Sequence, residues 1–321
     1  MTPDFAATAS WSMLRRRAAL LKRIREFFDA RGFIEVETPL LSADVVVDRH
    51  LDPLETTVFG RRIFLQTSPE FGMKRLLATA DPDAPRGIYQ ITRAFRADEH
   101  GRLHNPEFTI IEWYRCGDRM AEGMQLLSEL AQAALERGPA ERLSYAEAFQ
   151  RHAGLNPHRA DVAALAAVGR NAGLTAPASL GDDRDAWLDW LLVERIEPHL
   201  GRGAPTIVCD YPASQAALAQ VRDGDPPLAE RFELYVDGIE LANGYHELLD
   251  PAVLRERNRT NNALRRADGK SELPEHSRLI AAMETGLPEC TGVALGFDRL
   301  VMVATGAASL AEVMAFPIDR A

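Results

Sequence analysis

Residues 87–114, "GIYQITRAFRADEHGRLHNPEFTIIEWY", restrict the fold more than any other stretch of the chain. Both ends, "GIYQITRAFR" and "EFTIIEWY", are rich in Ile, Thr, Tyr, Phe and Trp, which favours strands. About ten mostly polar residues join them, where an ordinary hairpin uses two to five. With Arg96 at its start, that connection brings two arginines, a run of acids, two histidines and an Asn-Pro pair, and long loops of this kind tend to carry function. Side chains alternate along a strand, so Phe108, Ile110, Glu112 and Tyr114 share one face. On the preceding strand Gln90, Thr92, Ala94 and Arg96 share a face by the same rule. A face carrying Arg96, Phe108, Glu112 and Tyr114 is odd for a core. It is either a structural Arg–Glu ion pair or a cleft floor for an aromatic base and an anion.

Two further constellations bear on that choice. In "GIELANGYHE", Glu240 and Glu247 lie seven residues apart and on a regular strand would point to opposite faces. A bulge at Asn243-Gly244 would restore a common face, where two carboxylates suit Mg²⁺ or an amine. The alternative is a plain Asn-Gly hairpin turn that leaves both acids in solvent. In "GVALGFDRL" a Gly-rich strand enters a helix with Arg299 in its first turn, an arrangement that suits phosphate. No GxxxxGK[ST] or GxGxxG occurs, so a nucleotide here would be held without the familiar cradles.

The remaining pattern describes one α+β domain. Residues 12–31 form an amphipathic helix with Leu14, Ala18, Leu21, Ile24 and Phe28 on one side and Gly32 as its stop. Its basic run "RRRAALLKRIR" reads as a solvated helix face. "FIEVET", ended by Pro39, and "RIFLQT" read as strands, and "SPEFGMKRLLATA" as a helix. Residues 118–200 are Ala/Leu-rich and read as a helical insertion. Strands return at "TIVCDYP", "RFELYV" and "GIELANGYHEL", then a polar helical stretch at 251–285 leads to "TGVALGF" and a last helix. The sheet should be largely antiparallel. With 46% hydrophobic residues a sizeable core can form. A net charge of −10 argues against a large non-specific nucleic-acid footprint. Three cysteines without ligand spacing argue against a disulfide framework or zinc site. No apolar run is long enough to span a membrane and no signal peptide precedes the first helix, so a cytoplasmic location is expected.

Taken in order, these signatures resemble the motifs of class II aminoacyl-tRNA synthetases. The helix and strand ending at Pro39 resemble motif 1, "FRADEHGRLHNPEFTIIEWY" motif 2 and "GVALGFDRL" motif 3. "TSPEFGMKRLL", "NPEFT.IEWY" and "GIELANGYHEL" resemble the lysyl branch. The likeness covers roughly residues 12–321 as a single catalytic domain, with residues 1–11 expected to be disordered. Motif 1 begins close to Met1, so no anticodon-binding domain is expected. That resembles the stand-alone branch, the elongation factor P–(R)-β-lysine ligases, which activate lysine-type amino acids with ATP and transfer them to a lysine side chain of elongation factor P.

The resemblance implies ATP and Mg²⁺ as cofactors and a class II sheet flanked by helices. Lysine or (R)-β-lysine and elongation factor P would be the substrates, with no tRNA and no membrane, and the enzyme would be a homodimer. Arg96 and Arg299 would be catalytic. The ATP site would comprise Arg96, Ala97, Asp98, His104, Asn105, Phe108, Glu240, Leu241, Gly296 and Arg299, with Phe108 and Arg299 sandwiching the adenine. The amino acid would lie among Ser68, Pro69, Glu70, Glu112, Tyr114, Glu247 and Ala294, and Glu240 and Glu247 would face the metal. One departure stands out. The family's motif 2 usually reads Phe-Arg-Asn-Glu, whereas this chain has Phe95-Arg96-Ala97-Asp98, with a shorter acid and no amide. A minimal synthetase that still charges tRNA and a non-catalytic regulatory paralogue are the competing readings.

Overall fold

The computed structural model describes residues 5–321. Of the 1–11 stretch expected to be disordered, the first four residues lie outside the described ones. Beyond them, the Thr8 and Ala9 amides donate to the carbonyls of Ala315 and Met314.

Two compact units divide the chain, Met1–Arg119 with Glu247–Ala321, and Met120–His246. In the first, helix α1 (Trp11–Asp29) starts at Ser10, whose hydroxyl accepts the Met13 amide. Strands β1 (Ile34–Glu35), β2 (Leu41–Ser42), β3 (Glu55–Val58) and β4 (Arg61–Leu65) follow, then helix α2 (Glu70–Ala78). The long hairpin is β5 (Gly87–Phe95) and β6 (Glu107–Cys116). The second unit runs through α3 (Met120–Leu135), β7 (Glu141–Ser144), α4 (Tyr145–Ala153), α5 (Val162–Asn171) and α6 (Arg184–Leu191). It closes with β8 (Thr206–Pro212), β9 (Val221–Arg222), β10 (Leu228–Val236) and β11 (Ile239–His246). Back in the first unit come α7 (Pro251–Ala267), α8 (Arg278–Gly286), β12 (Cys290–Gly296) and α9 (Phe297–Thr305).

The sheet of the first unit has the order β1-β5-β6-β12, antiparallel except for the β1–β5 pair. A small sheet, β2-β4-β3, stands apart from it. In the second unit the order is β11-β10-β8-β7, with β9 on β10 and β7 parallel to β8. The region 118–200 thus carries a short strand, β7, besides the expected helices. The "FIEVET" strand is also shorter than its composition suggested. Only Ile34 and Glu35 are in register with β5, and Thr38 turns its hydroxyl to Gln90 Oε1 at 3.0 Å.

Register explains which face of the first sheet is free for chemistry. Gln90 lies opposite Glu112, and Glu112 opposite Ala294; Tyr114 lies between Ile88 and Gly292. These residues alternate with Tyr89, Trp113 and Val293, which point the other way. Against that other face α1 sets Phe28, fully buried, its ring stacked on Tyr89 at 4.5 Å and tilted against Trp113 at 5.3 Å. Each such aromatic contributes about 1.5–3 kcal/mol by leaving water. One face is thereby filled, and the polar face remains for a site.

The basic run on α1 is not wholly solvated. Arg17 turns inward, its side chain 14% exposed, and pairs with the buried Asp298 at the start of α9 at 2.5 Å. Asp298 also accepts the Thr109 amide at 2.7 Å, so one carboxylate ties α1, β6 and α9 together.

Candidate active site

The polar face divides into a buried acidic pocket and a more open cationic region. The pocket begins on α2. Ser68 Oγ accepts the Glu70 amide at 3.3 Å, which starts the helix, and Glu70 and Lys74 then lie one turn apart. Lys74 is 1% exposed. Its ammonium meets Glu70 Oε1 at 2.5 Å and also pairs with Glu247 Oε2. Burial alone would drive this amine toward its neutral form, but Glu247 and Glu70 outweigh that and hold its pKa well above the ordinary lysine value.

Glu112 completes the pocket from β6. It is buried, accepts the Tyr114 hydroxyl on Oε1 at 2.6 Å, and its Oε2 has no hydrogen-bond partner. Burial, reinforced by Glu70, pushes its carboxyl up to about 8, against the opposing pull of Tyr114 and Lys74. Gly292 lets the walls close. A Cβ there would stand 2.2 Å from the Tyr114 ring and 2.3 Å from Glu247 Oε1. Ala294, two residues on, faces Glu112 across the β6–β12 pair.

The cationic region lies along the β5–β6 connection and the start of α9. The Arg96 guanidinium sits 5.0 Å over the Phe108 ring and pairs with Glu99 at 3.0 Å. Its Nε is buried without a partner. Arg299 donates to the Leu103 carbonyl at 3.1 Å and lies 2.6 Å from His104 Nε2. Burial, with Arg299 beside it, lowers the His104 pKa, so the neutral ring accepts from the guanidinium. Gly296 caps α9 without any side-chain bond, and Asp298 in the first turn of that helix is taken up by Arg17.

Several expected residues prove to have defined partners. The ion pair weighed for Arg96 and Glu112 does not form, because Arg96 binds Glu99 and Glu112 binds Tyr114. Asn105 is buried with both ends of its amide engaged, Nδ2 on the Glu107 carbonyl at 2.6 Å and Oδ1 on the Ile318 amide at 2.9 Å. It thus anchors the C-terminal turn. Asp98 is exposed, and Ala97 donates its amide to the Asp52 carbonyl at 2.8 Å. Pro69 precedes the first turn of α2.

Glu240 and Leu241 lie on β11, in the second unit. The bulge expected at Asn243-Gly244 falls instead at Leu241, because Leu234 pairs with Ala242 while Tyr235 pairs with Glu240. Asn243 and Gly244 are ordinary ladder residues opposite Glu233 and Phe232, so neither forms a turn.

The donor set can be tested against the cofactors the resemblance implies. ATP fits: Arg96 and Arg299 offer positive charge for phosphates, the Phe108 ring offers a flat apolar surface, and the orphaned Arg96 Nε is a donor without an acceptor. A protein cage for Mg²⁺ does not. Among the described residues no three His, Cys, Asp or Glu side chains converge as metal ligands. Glu247 is bonded to the Lys74 ammonium, which suits a partner for an amine and not a metal ligand.

Lys74, Glu99 and Arg17 were not among the expected site residues. Lys74 alone had a visible signal, its four-residue spacing from Glu70, but that spacing commonly marks an exposed helical pair.

Residues 4–320 match the model of the class II tRNA synthetases specific for Asp, Lys and Asn. The chain belongs to the class II tRNA synthetase family. It is 46% identical, over 98% of its length and 99% of the relative's, to the elongation factor P--(R)-beta-lysine ligase of Klebsiella pneumoniae subsp. pneumoniae. It is 45% identical to the protein of the same name from Salmonella paratyphi B, over 100% of this chain and 99% of the relative.

Proposed function

We propose that this protein activates (R)-β-lysine, or lysine, with ATP and transfers it to a lysine side chain of elongation factor P. The observation that carries this reading is the buried cluster of Glu70, Glu112 and Glu247, an excess of acid suited to ammonium groups, with Glu112 on the β5–β6 hairpin that also carries Arg96. Near-full-length identity to ligases of that name supports it.

Two steps follow from the chemistry. The amino acid carboxylate attacks the α-phosphorus, the bond to the β-phosphate oxygen breaks, and pyrophosphate leaves an aminoacyl-adenylate. The acceptor amine then attacks the acyl carbon, AMP departs, and the amine gives up a proton as the amide forms. Catalysis of the first step is positioning plus charge stabilisation. Arg96 would stabilise the charge growing on the α-phosphate, released from Glu99 by the stronger anion. Arg299, steadied by His104 and Leu103, would lie along the nucleotide. The acids would hold the substrate amines. Mg²⁺ is expected to arrive on the triphosphate, as it commonly does, with Glu240 toward it by resemblance alone. The helix α1 and the segment through Pro39 would form the two-fold interface of a homodimer.

The test is mass spectrometry of elongation factor P incubated with the enzyme, ATP, Mg²⁺ and each amino acid. A gain of one lysine residue is expected. Charging of lysine tRNA with no change on the protein would favour a minimal synthetase instead.

A further inference from the structure

Glu99 sits among the cations of the β5–β6 connection. Asp98 and His100 on either side of it face solvent, while Glu99 turns inward and accepts Arg96 Nη1 on Oε1 at 3.0 Å. Burial and Arg299 lower the His104 pKa, and Glu99 pulls the other way, so its carboxylate faces that ring as well. Glu99 thus occupies a place bounded by Arg96, His104 and Arg299, where the phosphates of ATP would lie. The Arg96 and Glu99 side chains are 28% and 30% exposed, and an ion pair that open to water contributes little to stability. The pair has more to do with the site than with the fold.

Its geometry makes it easy to displace. Glu99 holds the guanidinium by one terminal nitrogen, whereas arginine grips an anion most firmly through two parallel bonds. Nε, which would supply a second bond, is buried and has no partner. An anion that offers two oxygens to Nε and a terminal nitrogen therefore outcompetes Glu99. The Phe108 ring, 5.0 Å from the guanidinium carbon, keeps Arg96 in place through the exchange. The backbone around Glu99 is pinned. The Ala97 amide donates to the Asp52 carbonyl at 2.8 Å, the His100 ring meets Asp319 at 3.1 Å, and Gly101 bridges to His104. Release then needs only a rotation of the Glu99 side chain, with no movement of the loop.

We propose that Glu99 is a placeholder anion for the nucleotide phosphate, a positioning residue that keeps Arg96 aimed before ATP arrives and gives way to a phosphate that binds through two oxygens. This rests on the functional reading above and adds to it how the nucleotide site is held ready. The placeholder has a cost in affinity, because every phosphate must first displace a carboxylate. Removing the Glu99 charge should therefore tighten the binding of ATP, and of inorganic phosphate at the same arginine. A residue that merely braced the loop would have the opposite effect, since its loss would loosen the site and weaken both.

The experiment measures the Kd for ATP by calorimetry, with inorganic phosphate as competitor, in wild type, Glu99→Gln, Arg96→Ala and the double variant. Glutamine keeps the length of the side chain and removes its charge. For Glu99→Gln we expect ATP to bind about threefold more tightly, the scale of a partly exposed ion pair, and inorganic phosphate to compete better by a similar factor. Loss of any acid near a phosphate site also raises affinity through space, and the double variant separates the two causes. With Arg96 gone, Glu99→Gln should bring no gain. An equal gain in both backgrounds overturns the proposal, and so does an ATP affinity that is unchanged or weaker in Glu99→Gln. A wild-type enzyme that neither binds ATP nor exchanges pyrophosphate refutes the functional reading and this proposal together. A wild-type enzyme that does both, while its Glu99→Gln variant binds ATP no more tightly, refutes this proposal alone.

Discussion

The acidic pocket and the cationic loop share one sheet face but are built in opposite ways. The pocket is dry: Glu70, Lys74, Glu112, Tyr114 and Glu247 are all buried, and their bonds run to one another. Arg96, His104, Phe108 and Arg299 are only partly buried, and their contacts are to side chains or carbonyls of the same loop. The difference matches what each would bind. A small diamino acid can be surrounded, and low-dielectric burial makes its recognition by charge strict. A triphosphate is large and strongly hydrated, so a half-open arginine that exchanges one anion for another serves it better.

The largest expected effect lies on the open side. Arg96→Ala should lower the rate of ATP–pyrophosphate exchange by about a hundredfold or more, the scale of losing a donor to transition-state charge. A change under about tenfold would mean that the Glu99 pair is its main role.

A second effect comes from the closed side and appears in stability. Burial pushes the Glu112 carboxyl up to about 8, from an ordinary value of 4.5. The folded protein then binds more protons than the unfolded chain between those values. The contribution is fully present below the ordinary value and is lost as pH rises through the folded one, at up to about 1.4 kcal/mol per pH unit. Glu247, also pushed up to about 8 by burial, adds to the same window. Thermal melting of the ligand-free protein from pH 5 to pH 8 should show that decline, and Glu112→Gln should make it shallower. An equal slope in the variant would place the titrating group elsewhere.

The smallest effect sharpens the pocket's shape. The Ala294 methyl lies opposite Glu112 and beside Gly292. Its removal should relax selection against an amine on the α carbon. Ala294→Gly should therefore raise kcat/KM for lysine relative to β-lysine by about tenfold, since one methyl supplies only about 1–3 kcal/mol of discrimination. An unchanged ratio would show that Ala294 only packs the sheet.

The two regions were also unequally legible in the sequence. Alternation along β5 and β6 was enough to put Gln90, Glu112 and Tyr114 on one face, because a period of two leaves no freedom once one side must be buried. Lys74 and Arg17 were not legible, since each sits in a helical charge pattern that ordinarily faces water, and only tertiary contacts reveal them as buried ion pairs. The bulge at Leu241 was hidden for a related reason. Asn243-Gly244 carries a strong local turn signal, and the cross-strand pairing of β10 with β11 overrides it. The helix α1 was read within about two residues at each end, because both its apolar stripe and its Gly32 stop are local features.

The division of labour can be tested by one steady-state measurement, the KM for amino acid and the KM for ATP in the exchange reaction of Glu112→Gln. The substitution keeps the shape of the side chain and removes its capacity to ionise against an incoming ammonium. We predict that the amino acid KM rises by about tenfold or more, the scale of a lost charge-assisted hydrogen bond, while the ATP KM stays within about twofold of wild type. An amino acid KM that does not move, or an ATP KM that rises with it, would contradict the account.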